Sequence, residues 1–106
     1  MPKWCLVILL IFASMHMDPA RAAAESLQGQ FTFNWFSNPA KTKCVRVDNK
    51  LASMFASSQF KCEAHTNTAS GNPAMVCSKA DGRSEYMVFT KFASCEDERK
   101  TQASNE

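Results

Sequence analysis

The sequence predicts a small α+β domain stapled by disulfides, with a largely antiparallel sheet of four to five short strands and two helices. Three observations carry this. Four cysteines, Cys44, Cys62, Cys77 and Cys95, are separated by segments of 17, 14 and 17 residues. An aromatic stretch, Gln30 to Phe36, alternates in the two-residue period of a half-buried strand. Asp81-Gly82 lies between two apolar runs and is a strong short hairpin signal.

The cysteines are read through what precedes them. Lys3 supplies a positive start, and Trp4 to Met15 is an apolar run of 12 residues. A helix needs roughly 20 residues to cross a bilayer core, so this run fits the hydrophobic segment of an export signal. Pro19 and the small-residue pattern Ala20 to Ala24 follow, placing cleavage after Ala22 or Ala24. Residues 1–24 are therefore expected to be removed, together with Cys5. Residues 25–106 form the single exported domain, in the periplasm or outside the cell. No second apolar stretch suggests a membrane span in this mature chain.

The 82 remaining residues suffice for one domain, with a core worth only a few kcal/mol net, so cross-links matter. In an oxidising compartment four cysteines imply two disulfides. A loop of 17 residues closed in this way contributes about 3 kcal/mol in the chain-entropy model. Four cysteines allow three pairings. The preferred one is Cys44 with Cys62 and Cys77 with Cys95. Each enclosed segment then begins with a cysteine, a basic residue, an aspartate and a basic residue at alternate positions (Arg46, Asp48, Lys50; Lys79, Asp81, Arg83). Under that pairing Cys77 would hold the final helix.

The elements follow in order. Gln30 to Phe36 sets Phe31, Phe33 and Trp35 against Thr32 and Asn34, and Asn38-Pro39 ends the strand. Lys43 to Val47 is a second strand, with Val45 and Val47 facing one way and Cys44 the other. Asp48 is the N-cap of a helix through Ser58, with Leu51, Met54, Phe55 and Ser58 inward. Phe60 to His65 is a third strand. Thr66 to Pro73 (TNTASGNP) has the composition of a loop. Ala74 to Lys79 and Glu85 to Lys91 pair across Asp81-Gly82, which sets Cys77 opposite Tyr86. Ser94 is expected to cap a polar helix from Cys95 to Ser104. Its acids Glu96, Asp97 and Glu98 would then favour the helix start, and Arg99 and Lys100 the following turn.

Chemistry is scarce. The mature chain carries ten basic and nine acidic side chains, a net charge of +1, which is no nucleic-acid footprint. Lys41, Lys43, Arg46 and Lys50 form a local basic run, read as solvated faces or as a contact for an anionic partner. Zinc ligands usually come in pairs two to four residues apart; no CxxC or HxxxH occurs, and His65, three residues after Cys62, is the one mature histidine, so no metal is assigned. No cofactor motif is present either. Serine catalysis would have to use His65, the one mature histidine, and nothing around it forms a triad signature.

Two features suit recognition. Phe36 faces away from Phe31, Phe33 and Trp35, so it marks a partner site unless helices cover both faces of the sheet. The loop, with Thr66, Asn67, Ser70 and Asn72, joins strands near cysteines and could present a rigid contact as small exported inhibitors do. The expected function is a non-catalytic binding or inhibitory module, a monomer acting on a protein partner. An accessory cell-envelope protein is the first alternative and a small enzyme using His65 the second.

Overall fold

The computed structural model describes residues 26–105; the export signal expected at residues 1–24 lies outside them. The described residues form a five-stranded antiparallel sheet with one helix on each face. The strands are β1 (Phe31–Asn34), β2 (Val45–Arg46), β3 (Phe60–His65), β4 (Ala74–Lys79) and β5 (Glu85–Phe89). Helix α1 (Asn49–Ala56) separates β2 from β3, and α2 (Phe92–Ser104) closes the chain. The strand order is β2-β1-β5-β4-β3.

Side-chain alternation assigns each strand residue to a face. Met75, Cys77, Tyr86, Val88 and Thr32 share the face that α1 covers. There they form a core with Leu27, Val47, Ala52 and Phe55. Phe33, Ala74, Val76, Met87 and Phe89 point the other way and pack with Cys95 of α2. Phe55 stacks against both Phe60 and Tyr86, with ring centroids 5.7 and 5.2 Å apart. Thr32 is fully buried and satisfies its hydroxyl by donating to the Met87 carbonyl at 2.8 Å.

Local chemistry explains the element ends. Asp48 caps α1, its carboxylate accepting from the Leu51 N–H at 2.8 Å. The helix stops at Ala56, earlier than the expected Ser58, because the Ser57 N–H and hydroxyl both turn back to the Met54 carbonyl. Inside the stripe, Ala52 and Phe55 are buried while Ser58 is exposed. In the β4–β5 hairpin Cys77 stands opposite Tyr86 as expected, but the turn is wider than the two residues Asp81-Gly82: the Lys79 N–H donates to the Ser84 carbonyl at 2.9 Å, and of the four residues between them only Gly82 takes a positive φ, +73°.

Three expectations are corrected. The disulfides join Cys44 to Cys95 and Cys62 to Cys77, a nested arrangement, and not Cys44 to Cys62 and Cys77 to Cys95. Cys62 and Cys77 face each other across the β3–β4 ladder, with Cα atoms 4.0 Å apart. Cys77 belongs to the α1 face and Cys95 to the α2 face, so the sheet itself separates them. Cys44, directly before β2, packs with the core on the α2 face, opposite Val47 on the α1 face, and so reaches Cys95. The final helix also starts earlier than expected, at Phe92. Its N-cap is Lys91, with no side-chain hydrogen bond, and Ser94 lies inside the helix. Packing replaces the cap: Phe92 meets Phe31 edge to face, centroids 5.6 Å apart.

Candidate functional site

Helix α2 has almost no apolar stripe, and polar contacts hold it on both flanks. On one flank Cys95, Glu98 and Gln102 follow at helical spacing. Glu98 is completely buried, which is rare for a carboxylate and costs several kcal/mol unless it is well paired. Its Oε1 accepts from the backbone N–H of Ser70 at 2.9 Å and from the Ser70 hydroxyl at 2.7 Å. Its Oε2 accepts from the Gln102 amide at 2.8 Å. Burial pushes the Glu98 carboxyl up, but the Ser70 N–H, the Ser70 hydroxyl, Gln102 and Thr68 together outweigh it. The group is held below its ordinary value of 4.5.

These bonds fix the loop 66–73 from within. The Gly71 N–H donates to the Thr68 carbonyl at 3.1 Å, and Gly71 turns the chain at φ +86°. The Thr68 hydroxyl donates to the Asn72 carbonyl. The Asn72 amide donates to Ser70 Oγ at 3.1 Å and to Asp97 of α2 at 2.9 Å. An eight-residue polar loop thus carries the internal bonding of a packed element. No buried side-chain nitrogen or oxygen among the described residues lacks a partner.

The four loop residues expected to contact a partner divide into two pairs. Ser70 and Asn72 are half-buried and face α2, where they form the clamp. Thr66 and Asn67 are exposed, as are Ala69, Gly71 and Pro73. Phe36 is 46% exposed but does not join them. It follows β1 in a turn, its ring against Trp35 at 4.8 Å. β1 pairs Asn34 with Tyr86, near the hairpin end of the sheet, whereas the loop enters β4 at the other end. With a helix on each face, the aromatic strand leaves no broad open apolar face.

Glu98 was missed by sequence reasoning, which took Glu96, Asp97 and Glu98 together as a helix start. In the earlier-starting helix the three acids do different things. Glu96 pairs with Arg99, whose hydrogen bond holds the Glu96 carboxyl below its usual value and raises the guanidinium. Asp97 receives Asn72, and Glu98 is buried. The available signal was the spacing of Cys95 and Glu98, three apart and so on one helical face.

His65 lies at the end of β3 with its side chain 47% exposed, its Nε2 3.9 Å from Glu63. Both border an open depression of about 250 Å³ with Lys61, Val76, Ser78 and Glu85. The Ser78 hydroxyl donates to Glu85 at 2.8 Å, and the Trp35 indole donates to the other oxygen of that carboxylate at 2.9 Å. Glu85 thereby ties β4 and β5 to the turn that follows β1. Among the described residues no three His, Cys, Asp or Glu side chains are grouped to hold a metal ion, and no helix there is long and apolar enough to cross a membrane. No family model, curated protein or solved structure matches the chain.

Proposed function

We propose that this chain is an exported binding or inhibitory module without catalysis of its own, acting on a protein partner in the periplasm or outside the cell. Its contact surface is the outer side of loop 66–73, led by Thr66 and Asn67. One observation carries the reading: a fully buried carboxylate, Glu98, bonds to the inner side of that loop. A connector needs no such clamp. A contact loop gains from one, because ordering flexible residues on binding costs roughly 0.5–1.5 kcal/mol for each immobilised side chain. Two disulfides suit an oxidising compartment, which supports the export expected from the sequence.

The test uses the processed, oxidised chain as bait in envelope and culture fractions. A discrete partner is expected. Thr66→Arg with Asn67→Arg should abolish its capture, while Lys50→Ala, on the solvent side of α1, should leave capture unchanged. Equal capture by the doubly substituted loop, or no partner in any fraction, would refute the reading.

A further inference from the structure

The second flank of α2 carries a different surface. Phe92, Glu96 and Arg99 face the segment Ala40 to Cys44 across an open depression of about 280 Å³. Small-molecule sites usually enclose roughly 300–1,000 Å³, so this one has the size for a side chain or two. Its frame is covalent, since Cys44 on one wall is bonded to Cys95 of the helix. Arg99 pins it further, donating to the Pro39 carbonyl at 3.0 Å and to Glu96. At the rim Phe92 is 50% exposed.

Lys41 and Lys43 line it and Lys91 directly precedes Phe92; all three are exposed and form no ion pair among the described residues. Arg46 joins them through the aromatic pair: its guanidinium carbon is 5.9 Å from the centre of the Phe31 ring, on which Phe92 packs. The acids here do not offset this cluster, because Glu96 is already committed to Arg99. We propose that the depression between residues 40–44 and α2 docks an acidic protein segment that presents one apolar side chain beside Phe92. The four cations supply charge complementarity, and the concave shape receives a side chain. A bilayer would require several apolar side chains projecting outward, whereas Phe92 is the one large apolar side chain exposed among the residues that line the depression. This surface is separate from loop 66–73 and does not depend on the role proposed for it.

The probe is a capped peptide, Asp-Glu-Leu-Glu-Asp, titrated into the processed, oxidised full chain and followed by amide NMR shifts. Saturable shifts should gather at Thr42, Cys44, Phe92 and Glu96, leaving Asn67 unmoved. Lys43→Glu should weaken binding about tenfold, as loss of a complementary charge does. Replacing the peptide leucine by glycine should weaken it by about tenfold or more, as expected for losing a buried apolar side chain. Absence of saturable shifts would overturn the proposal. So would binding that ignores the leucine or Lys43→Glu. Vesicles of phosphatidylcholine and phosphatidylglycerol, or a short oligothymidylate, shifting these signals where the peptide does not would also overturn it.

Discussion

Replacing Glu98 with alanine would strand the Ser70 N–H and hydroxyl and the Gln102 amide, all of which now donate to its carboxylate. Hydrogen bonds to a charged group are worth about 1.5–3 kcal/mol each, and part of this is recovered when water enters. Glu98→Ala should therefore lower the unfolding free energy in urea by about 2–3 kcal/mol and speed hydrogen exchange at Ser70. The folded carboxyl titrates below its ordinary value of 4.5. Its stabilisation is then complete above that pH and is lost as pH falls through the lower folded value. Acid titration of wild type and Glu98→Ala should give stability curves that converge below pH 4.5, and curves that stay parallel there would exclude the linkage. In the sequence only the spacing from Cys95 hints at this residue. Which of Glu96, Asp97 and Glu98 turns inward depends on the phase of the helix, and that is set by Phe92 against Phe31 and by Cys95 against Cys44.

The two helices depend on different chemistry. Asp48 starts α1 by a side-chain cap, so Asp48→Ala should cost about 1 kcal/mol in thermal or urea unfolding. Helix α2 lacks a side-chain cap and is secured by Cys95, Glu98 and Arg99. The Cys44–Cys95 bridge spans 51 residues and the Cys62–Cys77 bridge 15. The chain-entropy model assigns them about 4 and about 3 kcal/mol. Replacing both Cys44 and Cys95 by serine should accordingly cost the larger amount, and amide exchange should rise along α2 while the β3–β4 ladder stays protected. Removal of Cys62 and Cys77 should spare α2. Non-reducing peptide mapping checks the pairing directly. The strands themselves were legible because Phe31, Phe33 and the Asp81-Gly82 turn follow local periodicity and turn chemistry. Disulfide pairing is nonlocal: it required knowing that Cys77 and Cys95 lie on opposite faces. The eight-residue loop before β4 leaves the register of Cys62 open to any sequence reading.

Over the whole molecule, the two bridges and the polar clamp supplement a core too small to be generous. One disulfide staples an edge strand of the sheet, and the other fastens the helix that covers the opposite face. That helix then supports the loop through Glu98 and walls the basic depression through Phe92 and Arg99. Rigidity and presentation thus share one element. The sequence disclosed that the loop was polar and near cysteines, but which of its residues face outward emerged only with the clamp. The most direct test places a photo-cross-linking amino acid at position 67 of the full chain in its native compartment. A discrete adduct with one protein is predicted, weakened by Glu98→Ala and absent when the cross-linker is moved to Lys50. Adducts that are equally strong from both positions, or none from position 67, would contradict the account.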